Sequence, residues 1–248
     1  MTVKEFLDYL SQELNRSPRT VISYAEDLYA FEAYFLDKDE GLTWETIDTD
    51  IIRDWMESMV DKGNSPSSVA RRLSAVKGFF KFALAREFIS SDPAHAIRSP
   101  KRSRPLPQFL KENEINDLLD KQAWGDDFKG LRDRLIIMML YETGVRLAEL
   151  VGMDDEAVNL TGQFIKVTGK GDKQRVIPFG NELKSMIENY VEERNRTVSR
   201  KTAALLVSET GLRIKPDLVQ RIVKENLARF CSLKKKSPHV LRHTFADR

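Results

Sequence analysis

Three clusters in this 248-residue sequence hold side chains suited to handling a phosphate. The first is Thr143-Gly-Val-Arg-Leu-Ala-Glu-Leu150. A glycine break precedes Arg146, which sets its guanidinium at the mouth of a helix, and the planar fork of donors suits an anion's oxygens. Glu149, about one helical turn on, is placed to orient it. The same i,i+3 spacing also makes an ordinary structural ion pair. The second is Lys170 in Gly169-Lys-Gly-Asp172. Glycines on both sides let the main chain approach a ligand closely, and a lysine can contact phosphate or give up a proton. A solvated turn lysine is the plainer alternative, and the long glycine loop with serine or threonine of a P-loop is missing. The third is Pro238-His-Val-Leu-Arg-His-Thr-Phe245. His239 and Arg242 share one helical face and can together hold a phosphate and manage a proton. His239 reads equally as a capping or core histidine. His243 shares that face, but the glutamate of a zinc peptidase and a third ligand are both lacking, so no metal is expected.

A fourth feature is a basic helix carrying Arg71, Arg72, Lys77, Lys81 and Arg86. Arg71 and Arg72 stand in its first two turns, where a helix in the major groove reads bases. A soluble outer face gives the same pattern. The formal net charge of +2 hides a division along the chain: residues 1–61 and 105–200 are acidic on balance, whereas 62–104 and 201–248 are basic. Two basic blocks suggest two surfaces meeting one polyanion, or two solvated faces.

These clusters need a scaffold, and the apolar periodicity supplies one. Over the first hundred residues it predicts four helices. Phe6, Leu7, Leu10 and Leu14 mark the first. Val21, Tyr24, Leu28, Phe31 and Phe35 mark the second, which opens at Ser17-Pro18. Asp48 or Asp50 caps a third, with Ile51, Ile52, Trp55 and Met59 inward, and Ser65-Pro66 starts a fourth with Val69, Leu73, Val76 and Phe80 inward. Residues 1–97 are thus expected to form a helical domain. Residues 98–107, rich in proline and in basic residues such as Lys101 and Arg102, are expected to be a linker along a phosphate backbone.

The second domain, 108–248, is expected to be mixed α+β and mostly helical. Its predicted elements are a helix from Lys111 to Lys121, a buried helix from Leu131 to Tyr141 broken at Gly144, and a hairpin of 164–167 and 174–177. Helices at 182–195, 216–230 and after Pro238 complete it. The single cysteine excludes an internal disulfide. No stretch approaches a membrane span, and the acidic first residues do not suit a signal peptide, so a cytoplasmic protein is expected.

In order and spacing the motifs resemble the tyrosine recombinase or phage integrase family, most closely its Xer-type members. TGVRLAEL resembles the family's first-arginine motif, TGKGDKQRVIPF its catalytic-lysine hairpin and HVLRHTFA its His-x-x-Arg motif. SPRTVISYAEDLYAF and SVARRLSAVKGFFKFA resemble its core-binding helices. The resemblance spans essentially the whole chain. It implies a SAM-like core-binding domain and a catalytic domain that clamp double-stranded DNA. It also implies strand exchange through a 3′-phosphotyrosyl link, with no cofactor, by a tetramer on paired sites. Carried onto this sequence, it implies that Arg146 and Arg242 clamp the phosphate, Lys170 protonates the leaving 5′-oxygen and His239 assists. Glu149 supports the clamp, and Lys173, Arg175, Arg213, Lys215 and Arg221 contact the DNA backbone.

The family places its nucleophilic tyrosine after the His-x-x-Arg motif. Here the six tyrosines, Tyr9, Tyr24, Tyr29, Tyr34, Tyr141 and Tyr190, all precede it. The expectation is therefore a truncated chain that binds DNA as a monomer without cleaving it. The alternatives are a non-catalytic accessory DNA-binding protein and a protein-interaction scaffold.

Overall fold

The computed structural model describes residues 1–101, 109–121, 124–169, 173–231, 233 and 236–246, with the backbone alone at 112, 121, 243 and 246. The chain divides into two compact units, Met1–Pro105 and Leu106–Arg248.

The first unit is all helical: α1 (Val3–Asp8), α2 (Pro18–Lys38), α3 (Thr49–Asp61) and α4 (Pro66–Ala85). Local chemistry sets each start. The Ser17 and Ser65 side chains accept from the main-chain N–H of Thr20 and Ser68, with proline at the first helical position of each helix. Asp48 accepts from the N–H of Asp50 and Ile51. Phe31, Phe35, Trp44, Trp55, Phe79 and Phe80 form an aromatic core with ring centroids as close as 4.3 Å. The first predicted helix differs from expectation. It continues through Tyr9–Glu13 as a π-helix, and Leu14 N–H reaches back five residues to the Tyr9 carbonyl. The wider turn shifts the apolar stripe, so Phe6 and Leu10 are buried while Leu14 is turned outward.

The second unit opens with α5 (Glu112–Asn116) and a π-helical turn, Asp117–Lys121. The central α6 (Phe128–Thr143) is capped by Asp127 and buried almost all round. It ends at Gly144, whose φ of 58° is the left-handed conformation that favours glycine. A short α7 (Leu147–Gly152) follows at once. Next comes an antiparallel sheet in the order β1 (Val158–Asn159), β2 (Phe164–Thr168), β3 (Gln174–Pro178). Then come α8 (Asn181–Thr197), α9 (Pro216–Phe230) and α10 (Pro238–Ala246). The hairpin pairs Ile165 with Ile177 and Val167 with Arg175. The two-residue β1 had no signal in the sequence.

Partly buried ion pairs brace this unit. Fully buried Arg194 donates to Asp155 at 2.8 Å and to the carbonyl of Leu205 at 2.8 Å, and so fastens α8 to the segment around 205. Arg200 joins the same carboxylate at 2.8 Å.

Candidate active site

The end of α6 and the start of α7 build the site from the backbone outward. Because Gly144 turns the chain sharply, Arg146 becomes the N-cap of α7 and Glu149 falls in its first turn. The Glu149 carboxylate bends back to accept the Arg146 main-chain N–H through Oε2 at 2.8 Å. An acid there also meets the positive end of the helix. Its Oε1 accepts from Arg146 Nη1 at 2.8 Å.

A second arginine arrives from the sheet. Arg175 Nη1 donates to Oε1 at 2.9 Å and Nη2 to Oε2 at 2.8 Å. Burial pushes the Glu149 carboxyl up, but the hydrogen bonds from Arg175, then from the Arg146 main chain and side chain, outweigh it and hold the group at about 2. Glu149 is thus a charged, buried strut between two arginines.

Arg242, on α10, supplies a third guanidinium. Its Nη1 donates to the carbonyl of Gly144. Burial pulls its proton affinity down first and the neighbouring Arg146 charge adds to that; Glu149 acts against both, and Arg175 lowers it further. Arg242, Arg175, Gly144 and Phe245 line one cleft of about 280 Å³. The structure therefore brings Arg146, Glu149, Arg175 and Arg242 together. Arg146 and Arg175 share the Glu149 carboxylate while Arg242 stands near without bonding it, which leaves a positive excess.

The remaining residues singled out in the sequence are placed as follows. Lys170 and Arg102 lie outside the described residues. His239 is exposed on α10, one turn before Arg242. Lys81, Lys101, Lys173, Lys215 and Arg221 are exposed. Four others are engaged inside their own unit. Lys77 Nζ donates to the Ile97 carbonyl at 2.5 Å. Arg213 donates to the Val151 carbonyl at 2.8 Å and to Asp154 at 2.5 Å. Arg71 forms a two-bond pair with buried Asp27 and also donates to Ser23 Oγ at 2.7 Å. Arg72 Nε stands 3.8 Å from the same Asp27. Sequence reasoning saw Arg175 only as a backbone contact. Its phase was the missed signal: in Gln174-Arg-Val-Ile177 it falls in step with Ile177 and opposite to Val176, which is 58% exposed.

The profile of the phage integrase family matches residues 108–248, and that of the phage integrase N-terminal SAM-like domain matches residues 3–87. The sequence is 34% identical to the tyrosine recombinase XerC of Chlorobaculum tepidum, covering 98% of this chain and 80% of the relative. It is 36% identical to XerC of Natranaerobius thermophilus, covering 98% and 82%. The fold is similar to the XerH site-specific recombinase bound to palindromic difH substrate in a post-cleavage complex. That match has a TM-score of 0.76 and 21% identity, over 99% of this chain and 72% of the other. It is also similar to a lambda integrase dimer bound to a COC′ core site, with a TM-score of 0.69 and 20% identity over 100% and 89%.

Proposed function

The chain belongs to the phage integrase family of tyrosine recombinases, and from that premise we propose that it serves site-specific DNA recombination, in which strands are cut and rejoined through a 3′-phosphotyrosyl intermediate. The observation that carries this reading is the gathering of Arg146, Arg175 and Arg242 around Glu149 at the mouth of α7. Preorganised guanidiniums in a partly desolvated cleft stabilise the charge that grows on phosphate oxygens during in-line displacement. They cost no reorganisation when the reaction occurs.

In this reading Arg146 and Arg242 hold the two non-bridging oxygens of the scissile phosphate. Lys170, which follows β2 and precedes β3 in the sequence, gives the leaving 5′-oxygen its proton. His239 holds a phosphate oxygen or helps the attacking phenol lose its proton. The exposed Lys81, Lys101, Lys173, Lys215 and Arg221 contact the sugar–phosphate backbone. Base reading from the start of α4 falls to Arg71 and Arg72, which would have to leave Asp27 to reach a base. The partner is double-stranded DNA, and the reaction belongs in the cytoplasm, on paired sites held by a tetramer. Among the described residues no helix is long and apolar enough to cross a membrane.

All six tyrosines of these 248 residues precede Arg242. The test has two arms. A preferred duplex is first selected from random DNA with the 248-residue chain. A nicked version of that duplex is then offered to the chain and to the chain extended by a C-terminal segment that carries a tyrosine. The expected outcome is a covalent complex from the extended chain alone, abolished by Arg146→Ala or Arg242→Ala. Tight, selective binding with no covalent product from the extended chain would overturn the enzymatic reading and leave an accessory DNA-binding protein.

A further inference from the structure

Glu149 accepts four hydrogen bonds, two at each oxygen, which fills the capacity of a carboxylate. Its side chain is only 5% exposed. It has nothing left to offer a substrate or an attacking group, so it acts only through the arginines it holds.

The two arginines use it differently. Arg175 commits both terminal nitrogens, in the planar two-bond geometry that fixes a guanidinium most firmly. Arg146 commits one, Nη1, and among the described residues its Nε and Nη2 make no bond. The Arg146 side chain is 53% exposed, against 38% for Arg175. One arginine is the holder and the other is presented.

We propose that Arg175 is a positioning residue for the phosphate clamp: by occupying Glu149 in a two-bond pair it keeps Arg146 from closing onto that carboxylate, and so leaves the outer edge of Arg146 directed at the phosphate. This rests on the functional reading above and deepens it. If Arg175 is removed, one lone pair on each Glu149 oxygen is left open, and Arg146, already bonded at Oε1, can turn a second guanidinium nitrogen onto Oε2. Collapse of Arg146 into its own two-bond pair then withdraws the donors that the phosphate requires. The pairing of Arg175 with Val167 adds a second consequence. A Cβ at Gly169 would lie 3.6 Å from Arg175 Nη1 and 3.7 Å from Glu149 Oε1, so the β2 end of the hairpin rests against the same pair. The Arg175–Glu149 contact thereby ties the strands flanking residues 170–172 to the helix that carries Arg146.

The experiment is a double-mutant cycle on the full 248-residue chain, read as affinity for the selected duplex. Arg146→Ala is expected to weaken binding by about ten-fold, the scale of a lost hydrogen bond to a charged group. Arg175→Gln is expected to weaken it by a similar factor. The double variant should bind within about two-fold of Arg146→Ala, because Arg175 acts through Arg146. Arg175→Lys, which restores one of the two bonds, should recover part of the loss. A carbon-13 titration of Glu149 gives an independent readout: its carboxyl, at about 2 in the wild type, should rise toward the ordinary range in Arg175→Gln. Losses that simply add in the double variant would overturn the proposal, making Arg175 a separate contact, and would leave the recombinase reading standing. An Arg146→Ala variant that binds like wild type would overturn both. A Glu149 carboxyl unmoved by Arg175→Gln would overturn the positioning role alone.

Discussion

Arg242 donates to the main-chain carbonyl of Gly144, a residue 98 positions earlier, and so fastens the last described helix to the turn that aims Arg146. Phe245, one turn further along α10, lies against the same glycine. The turn and the helix thus hold each other in place, and the two motifs farthest apart in the catalytic unit are joined by one residue without a side chain.

Gly144→Ala should therefore cost more than its left-handed φ alone. The strain of a non-glycine residue there is about 1 kcal/mol, and an added Cβ also collides with the Phe245 ring. We expect a loss of about 2–3 kcal/mol in the stability of the second unit, from strain and overpacking together. DNA affinity should fall with it as Arg242 is displaced. Adding Phe245→Ala should recover the steric part. Urea unfolding of the single and double variants checks this, and strictly additive losses would show that the glycine and the ring do not share a contact.

The acid limb of stability should carry the mark of Glu149. Its carboxyl titrates at about 2 in the folded chain, below its ordinary 4.5. A depressed carboxylate contributes stability above its unfolded value and loses it as the pH falls through the folded one. The contribution is full above about pH 4.5 and gone near pH 2, with an upper size of about 3 kcal/mol for a shift of this scale. Glu149→Gln should thus be destabilised most near neutral pH, and its deficit should shrink as the pH falls from 5 to 2. Hydrogen exchange at the amides of α7 and β3 measures it within the right unit. A deficit constant across that range would remove the ionised strut from the account.

Much of this architecture was legible because its signals are local. Ser17-Pro18, the pair Asp48 and Asp50, and Ser65-Pro66 announced helix starts, and α2 to α4 begin there through hydrogen bonds that Ser17, Asp48 and Ser65 accept within three residues. Gly144 announced a break for a similar reason. What stayed hidden depends on distant packing. The π-helical turn at Tyr9–Glu13 shifts the apolar phase under tertiary pressure, and nothing in the spacing of Phe6, Leu10 and Leu14 shows it. The long stems of Lys77 and Arg213 let their charged heads reach carbonyls of another segment, so a basic residue in the sequence does not declare whether it meets solvent, phosphate or its own fold. Arg146, Glu149 and Arg242 could be grouped only through motif order, whereas the strand phase that turns Arg175 toward them went unread.

Asp27 should separate two kinds of buried-charge loss. It is 3% exposed, and burial pushes its carboxyl up against the opposing pull of Arg71 and Arg72. Removing it as Asp27→Ala leaves two arginines without their counterion. Arg71, about half exposed, can swing into water, whereas Arg72 Nε is buried with no hydrogen-bond partner among the described residues. We expect a loss of about 1–2 kcal/mol in the first unit, below the 3–5 typical of a fully buried pair, and a smaller one for Asp27→Asn. Thermal unfolding followed by the fluorescence of Trp44 and Trp55, with Trp124 replaced, checks this. A loss as large as that of a fully buried pair would mean that Arg71 cannot leave.

The basic residues should divide into two groups by their salt dependence. Lys81, Lys173, Lys215 and Arg221 are exposed, so each that meets a phosphate releases counterions on binding. Replacing one such residue by alanine should reduce the slope of log affinity against log salt by about 0.9, with little effect on folding. Arg213 should behave in the opposite way. Its guanidinium is spent on the Val151 and Met153 carbonyls and on Asp154, and these bonds hold the segment after α7 against the bridge between Val207 and Arg213. Arg213→Ala should cost about 1 kcal/mol of stability, discounted because both partners are partly exposed, and should leave the salt slope where it was. Gel-shift titrations at several salt concentrations, paired with unfolding curves, place each residue in one group or the other. A reduced slope for Arg213→Ala with unchanged stability would mean that its internal bonds give way to phosphate when DNA binds.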